Sequence, residues 1–125
     1  MKGMGQIVTW SVRDETLHCN SMIRIFKEFI NENPEIWTPK LKKEIYEACR
    51  TIIEHEDAFI DLAFEMGPME GLTAKDVKDY IRFIANRRLD QLGLEAIYDV
   101  DKNPLGWLDT MLNAVEHMNF FEGRA

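Results

Sequence analysis

Residues 11–29 read SVRDETLHCNSMIRIFKEF, and this stretch decides how the first part of the chain folds. Its side chains recur in alternating steps of four and three residues, which is the repeat of one face of an α-helix. Because the second half of this face is wholly apolar, we expect the whole face to point into a protein interior. The face lies on the first predicted helix (α1, from about Gly5 to Asn31) and is called here the α1 stripe. It comprises Ser11, Glu15, His18, Met22, Ile25 and Phe29.

The same helical periodicity continues along the rest of the chain, and no run of alternating polar and apolar residues predicts a strand. The sequence therefore predicts an all-α fold. Thr38 followed by Pro39 marks one helix start, and Thr73 with Asp76 three residues later marks another. The predicted helices run from about Gly5 to Asn31, from Pro39 to Met66, from Thr73 to Leu92, and from Asn103 or Pro104 to His117.

The first two predicted helices are each about 27 residues long, more than twice the average for globular proteins. Long helices joined by short loops are typical of antiparallel bundles. Two long helices and a shorter one leave broad apolar faces uncovered. We therefore expect residues 1–125 to be a single partial domain, completed either by a second copy or by another part of a larger bundle.

Composition and charge exclude several classes of function. The 22 acidic residues outnumber the 15 basic ones and give a net charge of −7, which disfavours binding to nucleic acid or to an anionic membrane. The nearest approach to a basic patch, Arg82 with Arg87 and Arg88, is expected to be a solvated helix face. No apolar run reaches the roughly 20 residues of a membrane span, and the N-terminus has no signal-peptide pattern. These features predict a cytoplasmic location.

Cys19 and Cys49 have no CxxC spacing, so we interpret them as small core residues rather than a disulfide or a redox pair. The second helix carries the polar cluster EHED at residues 54–57, which we interpret as buried or half-buried structural groups. Phe59 stands where the second histidine of an HExxH zinc motif would be, which argues against a zinc protease.

Glu15 and His18 are the candidate metal ligands. A spacing of three residues places the carboxylate and the imidazole on one face of the helix, where both can reach the same metal. A buried carboxylate is costly unless it is paired, hydrogen-bonded or bound to a metal. A core histidine that exchanges a hydrogen bond with Glu15 would satisfy the same pattern without a metal, so the residues alone leave both interpretations open.

Three segments together resemble a known family: GMGQIVTWSVRDETLH at residues 3–18, NRRLDQLGL at 86–94 and NPLGW at 103–107. Their order and spacing are similar to those of the C-terminal half of the small subunit of class I ribonucleotide reductase. The resemblance extends over essentially the whole chain. It implies a ferritin-like helical bundle that holds a dinuclear metal centre, of iron or alternatively manganese.

The resemblance also implies a role for each residue of the RDExLH motif. Glu15 and His18 correspond to ligands of one metal ion. Asp14 corresponds to a residue that links a histidine ligand to a tryptophan on the path of radical transfer, and Arg13 belongs to the same hydrogen-bonded surroundings. The implied chemistry is activation of dioxygen, formation of a tyrosyl radical, and transfer of that radical to the large subunit, which makes deoxyribonucleotides.

Four further metal ligands and the radical tyrosine of the family have no counterpart here, since Tyr46, Tyr80 and Tyr98 do not match its position. The resemblance therefore implies a partial subunit that is inactive alone and needs the N-terminal half of the small subunit. A homodimer is expected for the complete subunit. Two alternatives stay open: a fragment of a related ferritin-like oxidase, and a non-catalytic helical module that serves in assembly.

Overall fold

The computed structural model describes residues 2–116, and the side chains of residues 2–111. Apart from an isolated bridge between Met69 and Leu72, this range contains no β-structure, which confirms the all-α prediction. The elements are α1 (Lys2–Glu32), a single 3₁₀ turn (Pro34–Ile36), α2 (Pro39–Phe64), α3 (Ala74–Gln91) and α4 (Gly106–Glu116).

The two threonine caps confirm the predicted starts of α2 and α3. Thr38 Oγ1 accepts a hydrogen bond from the backbone N–H of Leu41 at 3.2 Å, and Thr73 Oγ1 accepts one from that of Asp76 at 3.1 Å. Each cap satisfies an amide that has no partner within the first turn of its helix. Local chemistry thus sets both boundaries.

Other boundaries differ from the prediction by a few residues. Helix α1 begins earlier, at Lys2, and α2 ends at Phe64 instead of Met66. Helix α4 begins at Gly106, because Asn103 Oδ1 accepts a hydrogen bond from the N–H of Leu105 at 2.8 Å and holds a turn there instead. The predicted end of α4 at His117 lies outside the described residues.

Helices α2 and α3 form a packed antiparallel pair joined by two ion pairs. Arg82 donates to both carboxylate oxygens of Asp57, at 2.9 and 2.6 Å, and Lys78 Nζ lies 2.6 Å from Asp61. The prediction that Arg82 belongs to a solvated helix face is wrong, since its side chain is only 26% exposed. The sequence could not reveal this pairing, because Asp57 and Arg82 are 25 residues apart.

A glycine ends α3. Gly93 has φ of 82°, its N–H donates to the carbonyl of Asp90 at 2.9 Å, and the N–H of Leu94 donates to that of Leu89 at 2.8 Å. This is the Schellman pattern, in which a left-handed residue lets two amides reach back to the last turn. Leu89 and Leu94 are both buried, so the reversal also brings two apolar side chains into the core.

The segment after α3 is irregular, but hydrogen bonds from both helices of the pair hold it in place. Asn86 Oδ1 accepts from the N–H groups of Ile97 and Tyr98, and Asn86 Nδ2 donates to the carbonyl of Tyr98 at 2.8 Å. Tyr46 on α2 donates its hydroxyl to the carbonyl of Glu95 at 3.0 Å. The side-chain amide of Asn86 therefore hydrogen-bonds to the backbone of this loop, as the backbone of a neighbouring strand would.

The contacts divide the chain into two units. One contains α1 up to Phe26 together with α4, and the other runs from Lys27 to Leu105. The buried core of the described residues lies in the second unit and comprises Ile53, Ile60, Leu89, Leu94 and Leu105. No helix in the described range is both long and apolar enough to cross a membrane.

The ion pair between Asp57 and Arg82 gives the first testable prediction. The substitution Asp57→Asn should lower the free energy of unfolding by about 1–2 kcal/mol at pH 7, since a charge-assisted hydrogen bond is lost. Urea denaturation followed by circular dichroism measures this. Glu54→Gln, at an exposed position on the same helix, is the matched control and should change stability by less than about 0.5 kcal/mol.

The same pair predicts a dependence on pH. Hydrogen bonding to Arg82 lowers the pKa of Asp57 below its ordinary value. A carboxyl group with a lowered pKa stabilises the fold above the unfolded-state pKa of about 3.9, and this contribution is lost as pH falls through the folded-state pKa. The stability difference between the wild type and Asp57→Asn should therefore shrink below about pH 4. A constant difference down to pH 2 would contradict the assignment.

Gly93 supplies a second prediction. Gly93→Ala should destabilise the chain by about 1 kcal/mol, because a left-handed backbone conformation at this positive φ is unfavourable for alanine. Thermal unfolding monitored at 222 nm tests this. Gly5→Ala, inside α1 where the backbone is helical, is the control and should not lower the melting temperature. Equal effects at the two sites would argue against a cap at Gly93.

Candidate metal centre

The predicted ligands Glu15 and His18 lie in the middle of α1, one turn apart, so that their Cβ atoms are roughly 5–6 Å from each other. Both side chains are exposed. Neither is hydrogen-bonded within the described part of the chain, so the alternative of a core histidine bound to Glu15 is not observed. The structure places the pair together but leaves its metal-binding role a prediction.

The expectation that the α1 stripe faces a core is wrong for the chain as described. Met22, Ile25 and Phe29, the apolar members of the stripe, are 64%, 59% and 52% exposed. The physical reason is that no described residue covers this face. Glu15 and His18 thus share the exposure of the apolar residues next to them, and a contiguous apolar surface of this kind is typical of an interaction site.

Arg13 and Asp14 immediately precede Glu15, and both are exposed. Successive residues of a helix are about 100° apart, so Asp14 points to one side of the direction that Glu15 takes. Asp14 is therefore next to the candidate ligands but does not belong to the α1 stripe. The interaction of Asp14 with a histidine ligand stays a prediction.

The chemistry of the pair fits half of a dinuclear centre. One carboxylate oxygen donor and one imidazole nitrogen at a Glu-x-x-His spacing are what one helix contributes to carboxylate-bridged metal pairs in helical bundles. In residues 2–116, no group of three or more histidine, cysteine, aspartate or glutamate side chains is arranged to hold a metal ion. The pair would therefore need ligands from outside the described residues.

The EHED cluster on α2 divides into two exposed and two half-buried residues. Glu54 and His55 are exposed, so the prediction of burial is wrong for them, whereas Glu56 and Asp57 are half-buried as predicted. His55 is exposed because the face of α2 that carries it is itself uncovered. The apolar members of that face include Ile52, Phe59 and Leu62, which are 59%, 67% and 60% exposed.

The cysteines are free thiols and half-buried, in agreement with the absence of a disulfide. The Tyr98 and Cys49 side chains lie close to each other, and the Arg82 guanidinium lies 5.7 Å from the centre of the Tyr98 ring. Burial raises the pKa of the Cys49 thiol and that of the Tyr98 hydroxyl. Sequence reasoning missed this contact because Cys49 and Tyr98 are far apart in the chain.

Comparison with known proteins identifies the family of this chain and agrees with the all-α fold. The family described as "Ribonucleotide reductase, small chain" matches residues 1–104. The chain is 50% identical over 125 residues to a probable ribonucleoside-diphosphate reductase small subunit of Invertebrate iridescent virus 3, covering 99% of this chain and 33% of that protein. It is 36% identical to the ribonucleoside-diphosphate reductase subunit beta of Chlamydia pneumoniae, covering 99% and 35%.

A solved structure is similar in fold as well as in sequence. The ribonucleotide reductase R2 subunit from Clostridium botulinum superposes with a TM-score of 0.81 at 30% identity, over 90% of this chain and 35% of that one. The chain thus spans about one third of the length of the curated relatives that it matches. Its helices correspond to part of a ferritin-like bundle, and the chain belongs to the ribonucleotide reductase small-chain family.

Proposed function

We propose that this chain supplies Glu15 and His18 as two ligands of the dinuclear metal centre of a class I ribonucleotide reductase small subunit. The observation that carries the proposal is their position: a carboxylate and an imidazole one turn apart within an exposed apolar stripe. Family membership supports a reductase over a related ferritin-like oxidase, because the relatives reported above are named as reductase subunits.

The remaining ligands and the radical tyrosine would come from the part of the small subunit that this chain does not match in its relatives. In that arrangement residues 1–125 form one portion of a single bundle domain, and the complete subunit is a homodimer. Covering the α1 stripe would remove exposed apolar surface from water, at about 25 cal/mol per Å². It would also bring Glu15 and His18 into an environment with little water, where metal–ligand bonds replace their hydration.

When bound, a dinuclear iron or manganese group supplies the activation of dioxygen and the oxidation of a nearby tyrosine to a radical. The residues of this chain would hold the metal ions and orient their ligands. Glu15 provides an anionic oxygen donor and His18 a neutral nitrogen donor. Asp14 accepts a hydrogen bond from a histidine ligand, which fixes the orientation of its ring and joins it to the path of radical transfer. Arg13 belongs to the same hydrogen-bonded surroundings.

The substrate does not bind to this chain. The radical passes to the large subunit, where ribonucleotides are reduced to the deoxyribonucleotides that DNA replication requires. This division of labour needs both subunits in one compartment, for which we propose the cytoplasm. It also agrees with the net charge of −7, which suits neither nucleic acid nor an anionic membrane as a partner.

Metal content tests the ligand assignment. The complementing segment is defined here as the part of the Invertebrate iridescent virus 3 small subunit that this chain does not match. Co-expressed with it, the chain should purify in a complex that binds about two iron or manganese ions, as dinuclear bundle sites do. Glu15→Ala should reduce that number to about one or fewer, as measured by inductively coupled plasma mass spectrometry.

Glu28→Ala is the matched control, because Glu28 is exposed on α1 but lies about 100° round the helix from the centre of the stripe. The control should keep the full metal content. Equal metal content in the wild type and in Glu15→Ala would rule out Glu15 as a ligand.

Asp14 gives a separate prediction, since its proposed role is orientation and radical transfer. In the same complex with the large subunit added, Asp14→Asn should keep the metal but lower ribonucleotide reduction by about tenfold or more. Asp101→Asn, an exposed aspartate in the loop before α4, should leave activity unchanged. Wild-type activity in Asp14→Asn would contradict the role, and loss of metal would show that Asp14 acts on the centre itself.

A further inference from the structure

Helices α2 and α3 form a groove of about 430 Å³ on one side of their interface, and none of the residues that line it belongs to the α1 stripe. It lies wholly within the unit Lys27–Leu105. The walls are almost entirely aliphatic. The α2 wall comprises Ile45, Ala48, Cys49, Ile52, Ile53 and Glu56, and the α3 wall comprises Ile81, Ile84, Ala85, Arg88, Leu89 and Leu92.

The two charged side chains of the groove lie at different heights along it. The ion pairs Asp57–Arg82 and Asp61–Lys78 show that α2 and α3 run antiparallel, so Arg88 is level with about residue 51 of α2. Glu56 is therefore about five residues, or about 7.5 Å, further along the groove than Arg88. The groove offers a carboxylate toward one end, a guanidinium about midway along it, and apolar residues over the rest of its walls.

We propose that an amphipathic helix of the small subunit, from the part represented by the complementing segment, packs into this α2–α3 groove. The inference rests on the proposed function, because it takes the chain to be one portion of that subunit. It adds a second contact surface, which does not include the metal ligands. The helix docks an apolar ridge between Ile52 and Ala85, and its charged residues face Glu56 and Arg88.

The character of the walls favours this occupant over a transient partner. Transient interfaces are about as polar as the rest of a protein surface, whereas permanent interfaces resemble a domain core cut in half. Ten of the twelve lining residues are aliphatic or cysteine, which matches the second description. The groove also continues into the exposed face of α2, since Ile52 belongs to both and Phe59 lies two turns further along that face.

The length of the relatives shows where such a helix could come from. About two thirds of the Invertebrate iridescent virus 3 subunit has no counterpart in this chain, which is ample for several helices. A helix held between two others presents anchors at positions i, i+3, i+4 and i+7. The charges of the groove add a requirement: a basic residue opposite Glu56 and an acidic residue opposite Arg88, about four or five positions apart.

Cys49 provides a natural probe, because its half-buried thiol lies in the α2 wall of the groove. The experiment compares the rate of alkylation of Cys49 by N-ethylmaleimide in the chain alone and in the complex with the complementing segment, at one pH. A Cys19→Ser background leaves Cys49 as the only thiol of this chain, and peptide mass spectrometry identifies the site. We expect alkylation of Cys49 in the complex to be slower by about tenfold or more, because the groove must open before the reagent enters.

Two alanine substitutions on α2 form a matched pair. Ala48 and Ala58 are both exposed, but only Ala48 lines the groove. Ala48→Glu should restore fast alkylation of Cys49 in the complex, and Ala58→Glu should leave the protection unchanged. Circular dichroism of the isolated variants establishes that α2 and α3 still form, so loss of protection is not loss of fold.

The outcomes separate this proposal from the proposed function. A complex that binds metal but leaves Cys49 as reactive as in the isolated chain overturns the groove proposal and leaves the metal ligands in place. Protection of the isolated chain that rises with its concentration assigns the groove to a second copy and overturns the proposal. Protection that needs the large subunit also overturns it. Protection in the complex of Glu15→Ala, with reduced metal, supports the groove independently of the metal site.

Discussion

A long helix in water needs a partner for its apolar face, and this constraint governs the whole structure. Helices gain most of their stability in proteins from packing that face, not from their intrinsic propensity. Helix α1 has 31 residues, yet none of them is buried. The apolar residues that follow Glu15 and His18 remain in water, so the candidate ligands and their helix depend on the same missing contact.

Helices α2 and α3, by contrast, pack their apolar faces against each other. Their interface contains the buried residues Ile53, Ile60 and Leu89, and the bidentate pair between Asp57 and Arg82 stands beside it. Asn86 then ties the following loop to this pair through three hydrogen bonds. This part of the chain holds its own geometry, and the proposed groove is an exposed continuation of its interior.

The two units therefore have different proposed roles. The proposed metal ligands belong to the unit that has no buried side chain among its described residues, whereas the groove belongs to the unit with a core. Such a division suits a chain that contributes ligands to a centre completed elsewhere. In the proposed assembly, the packed pair would supply a firm surface for docking, and docking would enclose the proposed ligands. Metal binding and helix packing would then be coupled, as they are in other metal sites formed on folding.

Local chemistry explains what the sequence by itself determined: four helices, the caps at Thr38 and Thr73, the stop at Gly93, and the placing of Glu15 and His18 on one face. Each depends on residues within one or two turns, and the RDExLH and NPLGW motifs carry the family resemblance in the same local way. Only the tertiary structure decided that Arg82 pairs with Asp57, that Tyr98 reaches Cys49, and that the α1 stripe and His55 are exposed. These depend on distant residues, and a periodic pattern shows which face is apolar but not whether anything covers it.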